Sequence, residues 1–442
     1  MAAVRPSRRA AISGWGRYPV LDCAILEPAS AIEAQQPLPE GAIARGNGRS
    51  YGDSSLSPSA TVFTRRLDRM LRFEPKSGIL TCEAGVLLAD IVALFVPRGW
   101  FPPVTPGTKF VTIGGMIAAD VHGKNHHAVG SFCDHVRWID LALGDGTVLR
   151  CSREEHSDLF AATCGGMGLT GLVLRAAFAM QPIANGWIEQ EVKRAPNLRT
   201  VMQMFEASTG RTYSVAWIDC LAGGANLGRS VLFLGEHART TVPQISRPQP
   251  RRRSRAVPID FPALALNRPS VRAFNTLYYA RQKPGTGLID IDRYFYPLDA
   301  LREWNRIYGA RGFVQYQCVL PAETSAAGLA ELLAASSRDG TPSFLAVLKL
   351  MGRSSFGHLS FPMPGYTLAL DFPATEATMR LLDRFDAIVS AHGGRIYLAK
   401  DARVGRAAMQ AGYPRLTEFR EVRRRYGLDR RFRSAQSERL GL

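Results

Sequence analysis

The segment Arg45–Asp53, with the sequence RGNGRSYGD, concentrates glycines and hydrogen-bonding side chains. Closely spaced glycines let a backbone adopt positive φ and approach a ligand, and successive amides can then point at a pyrophosphate. No Gly-Lys-Ser/Thr follows, and the spacing does not match a Rossmann fingerprint. Taken alone, the segment fits either an ordinary turn or a dinucleotide-binding loop.

Two more glycine-rich segments follow in the first half of the chain, PGTKFVTIGGMIAADVHGKNHH at 106–127 and TCGGMGLTG at 163–171. Their small residues leave room for a flat ligand, and Thr112 and the amides of Gly114 and Gly115 can donate hydrogen bonds. The histidines of the second segment suggest a metal, but no second cluster of carboxylates or thiols stands at ligand spacing, so we expect none. Three such segments together predict one extended cofactor.

Several polar residues further along occupy positions where their chemistry matters. Lys349 lies in the apolar run Leu345–Leu350, where an unpaired ammonium is costly, so we expect a partner or a ligand. Gln315 and Gln317 alternate along one strand and either line a site or face solvent. Lys400 follows a strand-like segment and, without further context, reads as an ordinary surface charge.

Composition limits the classes of partner. The formal net charge of +17 fits nucleic acid, an anionic membrane surface or an anionic substrate, or simply an arginine-rich composition. The arginine clusters are not interleaved with aromatic residues, which disfavours nucleic acid. No apolar run reaches the roughly 18 residues of a spanning helix, and the N-terminus shows no leader pattern. We therefore expect a cytoplasmic protein whose scattered cysteines are reduced and mostly buried.

The elements that position these residues alternate between short strands and helices without regular βαβ spacing, which indicates an α+β fold. Ser152 and Glu155 have capping-box spacing and predict the start of a helix. The proline-rich basic stretch 239–258 lacks periodicity and predicts an exposed flexible loop. The predicted strands are Ile79–Ala84, Val136–Leu143, Thr147–Cys151, Leu172–Met180, Tyr213–Cys220, Ser230–Leu234, Arg311–Leu320, Ser343–Met351 and Tyr366–Phe372, and the later predicted helices are Ala326–Ser337 and Glu376–Ala391.

The segments RGNGRSYGD, PGTKFVTIGGMIAADVHGKNHH, GGMGLTG, FVQYQ, LKLMG and YLAKDAR, in this order, resemble the vanillyl-alcohol-oxidase-like (PCMH-type) FAD-binding family. Within it they are similar to the oxidases of decaprenylphosphoryl-β-D-ribose. The resemblance implies a two-domain α+β flavoprotein. An FAD-binding domain would span residues 1–182 and a substrate-binding domain with an antiparallel sheet 183–392, while 393–442 would return to the FAD domain.

The resemblance also implies which residues hold FAD. Val173 would close on the adenine and Tyr397 on the flavin. Arg49 matches a position where covalent members of the family carry a flavin-linked histidine, so non-covalent FAD is expected. The implied FAD-binding residues are Arg45, Gly46, Asn47, Gly48, Arg49, Ser50, Tyr51, Gly52, Asp53, Gly107, Thr112, Ile113, Gly114, Gly115, Ala119, Asp120, Val121, His122, Val173 and Tyr397.

By the same resemblance Lys400, His122 and Tyr397 form the catalytic set. Oxidation of a carbinol requires removal of the hydroxyl proton and a cation near the flavin, and Lys400 could serve either need. His122 would orient the sugar hydroxyls. The implied substrate-binding residues are Tyr51, Gln315, Gln317, Lys349 and Ala369.

Two departures bear on the substrate. Ala369 replaces a cysteine of the mycobacterial members, the residue that traps nitroaromatic inhibitors, and Met167 replaces a common asparagine. The implied reaction is oxidation of the ribose 2-hydroxyl of a polyprenyl-phosphoryl-β-D-ribose, the first half of an epimerisation to arabinose that a short-chain dehydrogenase-type reductase completes. A basic surface would suit peripheral contact with the inner membrane surface. The alternatives are a soluble alditol or aldonolactone oxidase and a non-catalytic flavin-binding partner protein.

Overall fold

The computed structural model describes residues 8–239, 255–262, 267–343 and 345–442. The first four strands form a sheet in the order β1-β2-β4-β3, in which β4 runs parallel to both of its neighbours. The parallel pair β3-β4 places the first glycine loop directly after β3. These strands are β1 (Arg8–Ser13), β2 (Val20–Leu26), β3 (Ala42–Arg45) and β4 (Ala60–Phe63).

A second, antiparallel sheet of five strands follows in the order β5-β6-β10-β8-β9, and β7 pairs with β11 as a separate ribbon. Its strands and the ribbon are β5 (Met70–Glu74), β6 (Ile79–Glu83), β7 (Trp100–Phe101), β8 (Val136–Ala142), β9 (Val148–Ser152), β10 (Leu172–Ala179) and β11 (Gln181–Pro182). The helices of this part are α1 (Ala31–Ala34), α2 (Leu88–Phe95), α3 (Ile113–Ala118), α4 (His126–Val129) and α5 (Ser157–Thr163). The predicted hairpin over residues 136–151 is confirmed.

The predicted capping box at Ser152 was wrong. Helix α5 begins at Ser157 after His156, which has a left-handed backbone with φ of 46°. Ser152 instead ends β9, and its hydroxyl accepts hydrogen bonds from the amides of Glu154 and Glu155. A serine hydroxyl can close a turn as well as cap a helix, and spacing alone does not separate the two.

The largest sheet is antiparallel and has eight strands in the order β16-β12-β14-β13-β19-β20-β18-β21. Two further short strands, β15 and β17, pair separately and in parallel. The strands are β12 (Trp187–Ala195), β13 (Tyr213–Ile218), β14 (Ser230–His237), β15 (Arg255–Ala256), β16 (Gly285–Asp290), β17 (Leu301–Arg302), β18 (Phe313–Pro321), β19 (Ala346–Met351), β20 (Gly365–Pro373) and β21 (Arg395–Ile396). The accompanying helices are α6 (Leu198–Glu206), α7 (Arg268–Arg281), α8 (Ile291–Phe295), α9 (Ala322–Asp339) and α10 (Glu376–Ala391).

Helices α9 and α10 cover one face of this sheet. The bounds of α10 match the prediction because Thr375 caps it, accepting from the amide of Thr378, and its apolar residues recur at helical spacing. On the covered face Tyr316 packs against Phe385 with ring centres 5.2 Å apart. Since side chains alternate along a strand, Gln315 and Gln317 lie on the opposite face, toward His122.

The C-terminal segment packs against the first part of the chain through α11 (Arg406–Gly412), α12 (Leu416–Arg425) and α13 (Ala435–Leu440). The amide of Ala42 in β3 donates to the carbonyl of Arg431. The buried Arg423 guanidinium donates to the carbonyls of Leu169 and Phe432, so its charge is surrounded by peptide dipoles. These contacts agree with the predicted return of residues 393–442, and the division into domains stays a prediction.

The α+β class with an antiparallel sheet in the second half is confirmed. All seven cysteines are free and buried, as expected. Most of the predicted flexible loop at 239–258 lies outside the described residues, and its described end forms β15. Of the helices that the structure describes, none has the length and apolar character needed to cross a bilayer.

Candidate active site

The first glycine loop is docked against the turn that carries Lys400. The amide of Tyr51 donates to the carbonyl of Ala399 at 3.0 Å. A Cβ added at Gly52 would lie 1.9 Å from the carbonyl oxygen of Asp401, so only glycine permits this approach. The Lys400 ammonium lies 3.7 Å from the centre of the Tyr51 ring. The structure therefore joins two predicted site segments that are far apart in the sequence.

The tip of this loop has the features of an anion-binding turn. The amides of residues 47–50 donate to no other described residue. Gly48 has φ of 62°, a left-handed conformation that turns neighbouring amides toward one side. The Arg49 guanidinium stacks 4.0 Å from the centre of the Trp15 ring, and its Nε is buried without a partner among the described residues. This set of donors fits the diphosphate of a dinucleotide.

The second glycine-rich segment meets the first. The Asn47 side chain donates to the carbonyl of Phe110 at 2.7 Å. Thr112 caps α3 by accepting from the amide of Gly115, and the amide of Gly114 donates to the carbonyl of Ala84. Both amides therefore have partners within the chain, and their contact with the cofactor stays a prediction. Gly107, in contrast, has open space where a side chain would project.

Two other predicted cofactor residues, Asp120 and Asp53, bind groups of the chain itself. The buried Asp120 carboxylate accepts from the amide of Cys133 and from the hydroxyl of Ser360. Asp53 forms an ion pair of 2.8 Å with Arg439. These carboxylates hold the walls of the site in place. Among the remaining predicted cofactor residues, Arg45 donates to the carbonyl of Ser13, and the carbonyl of Ser50 accepts from the amide of Trp15. A Cβ added at Gly46 would clash with Thr112. The apolar residues Ile113, Ala119, Val121 and Val173 are buried.

Four of the five predicted substrate residues share one face of the large sheet, and the fifth, Tyr51, lies on the first glycine loop. Directly paired residues on antiparallel strands project to the same side. Gln315 pairs with Asp371, Gln317 with Ala369, and Lys349 with Thr367. Gln315 and Gln317 are 8% and 3% exposed, so the solvent-facing alternative for these glutamines was wrong.

His122 is fixed at this face as a neutral imidazole. The Gln317 amide nitrogen lies 3.0 Å from His122 Nε2 and also donates to the hydroxyl of Thr367. His122 Nε2 is then the acceptor, which places the ring proton on Nδ1, a buried atom with no partner among the described residues. Burial lowers the pKa of His122 well below its ordinary value. The Tyr397 hydroxyl donates to the carbonyl of Ala119 and so holds the segment that carries the histidine.

Lysine ammonium groups crowd the same region. Burial, followed by the Lys349 charge, lowers the pKa of Lys124 to about 7, and burial lowers that of Lys349 to about 8. Burial also lowers the pKa of Lys400. No carboxylate in the described ranges lies within ion-pair distance of these three lysines. Lys124 was not predicted, and its only sequence signal was its place between His122 and His126.

Asp371 is a second site residue that the sequence analysis missed. It is fully buried on β20 and accepts a hydrogen bond from the Gln315 amide. Burial raises the pKa of Asp371, while the Gln315 hydrogen bond and the Lys400 charge act in the opposite direction. An acidic residue in the apolar strand Gly365–Pro373 was the available signal, and its partner on another segment could not be read from the sequence.

The arrangement can bind an anion, donate to or accept from sugar hydroxyls, and exchange a proton near neutral pH through Lys400. In the described part of the chain, no group of three or more His, Cys, Asp or Glu side chains is placed so that it could hold a metal ion. Val347 and Ala369, which are only partly buried, add apolar surface beside these polar groups.

Comparison with known proteins identifies the chemistry. Residues 39–152 match the FAD binding domain family. The chain is 34% identical over 456 aligned residues to the decaprenylphosphoryl-β-D-ribose oxidase of Mycolicibacterium smegmatis, covering 99% of this chain and 98% of that protein. It is 35% identical to an uncharacterised protein of Streptomyces coelicolor, covering 81% of this chain and all of the relative. Human Δ24-sterol reductase matches at 28% over 32% of this chain and 27% of its own length.

The FAD match spans the loop with the free amides and the segment that carries His122, and the first relative spans nearly the whole chain. The protein is an FAD-dependent oxidoreductase, and the chain belongs to the decaprenylphosphoryl-β-D-ribose oxidase family.

Proposed function

We propose that this protein oxidises the 2-hydroxyl of the ribose in a polyprenyl-phosphoryl-β-D-ribose to the 2-keto sugar. The observation that carries the proposal is the grouping of Lys124, Lys349 and Lys400 around the face that holds Gln317 and His122, with no carboxylate of the described residues within ion-pair distance. The Lys349 charge lowers the pKa of both other lysines. An anionic ligand relieves this repulsion, whereas a neutral alditol does not. The family relative, named as an oxidase of decaprenylphosphoryl-β-D-ribose, supports the same substrate class.

The chain's own residues supply binding and proton handling. FAD, when bound, supplies the hydride acceptor. Lys349 and Lys124 hold the phosphate, while the Nδ1 proton of His122 and the amide of Gln317 orient the ribose hydroxyls. Lys400 either takes the hydroxyl proton as a neutral amine or supplies positive charge beside the flavin as an ammonium. Tyr51 and Gln315 position Lys400 and its carboxylate partner, Asp371.

The loop at residues 47–50 and the open side of Gly107 would hold the cofactor, with Val173 and Tyr397 closing around its two ends. The 2-keto product needs a second hydride transfer to yield arabinose, so we propose a separate short-chain dehydrogenase-type reductase as functional partner. A cytoplasmic location with peripheral contact at the inner membrane surface follows from a lipid-linked substrate and the net charge of +17.

Substrate choice tests this proposal. The purified yellow protein is mixed anaerobically with polyprenyl-phosphoryl ribose and, in a parallel sample, with free alditols and aldonolactones. Bleaching by the lipid-linked sugar alone is expected. Bleaching by free alditols would instead establish the rival soluble oxidase, and no bleaching by any sugar would favour the non-catalytic alternative.

FAD is expected to be bound without a covalent link. Arg49 stands where a histidyl link would form, and a guanidinium cannot make that bond. Acid or denaturant should therefore release all of the yellow colour into the supernatant after the protein is precipitated. Colour that remains on the precipitated chain contradicts this prediction.

Nitroaromatic inhibitors are expected to act reversibly. Ala369 carries no thiol, and the nearest cysteine along β18, Cys318, lies on the opposite face of the sheet and is fully buried. Ala369→Cys should restore a covalent adduct, detectable as added mass on the intact protein. Cys318→Ala serves as the control and should change neither result. An adduct on β20 of the unmodified protein would overturn the alignment at Ala369.

A further inference from the structure

Helix α7 exposes apolar side chains where a surface helix ordinarily exposes polar ones. Its inner face packs through Val271 and Asn275, which are both 2% exposed. Its outer face carries Phe274 and Leu277, which are 39% and 50% exposed. Exposed apolar side chains grouped on one helix face mark an interaction surface more often than scattered ones do.

The same face carries positive charge. On the helix, Arg281 projects between Phe274 and Leu277, and the exposed Lys283 follows two residues later. Residues 267–283 contain no acidic side chain, and neither of these two basic groups has an ion-pair partner among the residues that the structure describes. A helix that exposes phenylalanine and leucine beside basic side chains matches the pattern of helices that lie in the interface of an anionic membrane.

The helix also adjoins the proposed substrate face. A row of directly paired residues runs across four neighbouring strands, from Gln317 through Ala369 and Val347 to Trp217. Three strand spacings separate its ends, which is roughly 14 Å. Gln317 contacts His122 at one end, and the α7 residue Tyr278 packs on Trp217 at the other, with ring centres 4.8 Å apart.

We propose that the outer face of α7, formed by Phe274, Leu277 and Arg281, docks the protein on an anionic lipid surface. This inference rests on the proposed function, because a lipid-linked sugar held at His122 and Gln317 must extend its chain away from that end of the row. Ala369 and Val347, which lie between Gln317 and Trp217, are only partly buried, so the row offers the lipid chain an apolar course toward α7. A helix seated in the membrane at that point delivers substrate without removing the whole lipid from the bilayer.

Vesicle flotation of the FAD-loaded protein tests the docking directly. We expect binding to vesicles of phosphatidylcholine mixed with an equal amount of phosphatidylglycerol, weak binding to phosphatidylcholine alone, and loss of binding at high salt. Leu277→Glu should weaken binding about tenfold or more, because it removes an apolar group that would insert into the membrane and adds a charge that anionic lipid repels. Arg281→Gln should weaken it roughly fivefold.

Ile32→Glu is the matched control, since Ile32 is 78% exposed on α1, in the first part of the chain, and should leave vesicle binding unchanged. Equal binding by Leu277→Glu and the unmodified protein overturns the proposal, as does an absence of binding to the anionic vesicles. An absence of binding to the anionic vesicles would assign the outer face of α7 to a protein partner instead.

Turnover separates this inference from the proposed function. A geranyl-phosphoryl ribose that dissolves as a monomer should be oxidised equally by Leu277→Glu and the unmodified protein, while a long-chain substrate embedded in anionic vesicles should be oxidised more slowly by the variant. Equal rates on the embedded substrate contradict the inference. If neither protein oxidises the short-chain compound, the proposed function fails, and flotation still decides the docking.

Discussion

Replacing Lys400 with methionine is expected to lower turnover about a hundredfold or more while FAD stays bound. The lysine lies over Tyr51 at the centre of the proposed site, where its charge interacts with the Asp371 carboxylate that Gln315 holds. FAD retention is expected because the free amides of residues 47–50, not this side chain, form the anion-binding turn.

Anaerobic stopped-flow absorbance decides where Lys400 acts, because flavin bleaching by substrate is then separated from reoxidation. The loss must appear in bleaching. Lys76→Met is the control, since Lys76 is an exposed lysine in the turn between β5 and β6 and is not among the residues of the proposed site. Lys400→Arg keeps the charge but cannot act as a neutral base, so partial recovery would assign the electrostatic role and no recovery the proton-transfer role. Normal bleaching with slow reoxidation would contradict the assignment to the oxidation step.

Sequence reasoning found the parts of the site that short local patterns encode. The glycine loops, the alternation of Gln315 and Gln317, and the charge at Lys349 in an apolar strand are all visible within a few residues. Five strands of the large sheet, β13, β14, β18, β19 and β20, were predicted for the same reason, since apolar and aromatic runs bounded by glycine or proline are local signals. The charged β12 and the glycine-containing β16 carry no such signal and were missed.

What the sequence could not predict depends on contacts between distant segments. Asp371 gains its role from Lys400 and Gln315, and Lys124 from Lys349, and neither partnership has a local pattern. The partners that the amides of Gly114 and Gly115 have within the chain, Ala84 and the Thr112 hydroxyl, are likewise fixed only by the fold. Glycine-rich sequence shows that a backbone can approach a ligand, but it does not show which amides remain free.

Asp371→Asn is expected to move the Lys400-dependent limb of the pH-rate profile to lower pH. The pKa of Lys400 is lowered by burial and by the Lys349 charge, and the Asp371 carboxylate acts against both. Asparagine keeps an oxygen that can accept from Gln315 but removes the negative charge, so the pKa of Lys400 should fall further. A shift of one pH unit corresponds to about 1.4 kcal/mol, or roughly a tenfold change in rate at a fixed pH on that limb.

The direction of the affected limb also identifies the working form of Lys400. If the neutral amine takes the hydroxyl proton, the rate rises with pH through the pKa of Lys400. At low pH the variant should then reach a larger fraction of its own maximal rate than the unmodified protein does. If the ammonium is required, the rate falls with rising pH, and the variant should lose activity at a lower pH than the unmodified protein.

Asp140→Asn is the control, because it removes a buried carboxylate paired with Arg150 on the five-stranded sheet and should leave both limbs in place. Thermal unfolding of both variants checks that they fold. An unmoved limb, or one that moves to higher pH, shows that Asp371 does not set the charge of Lys400.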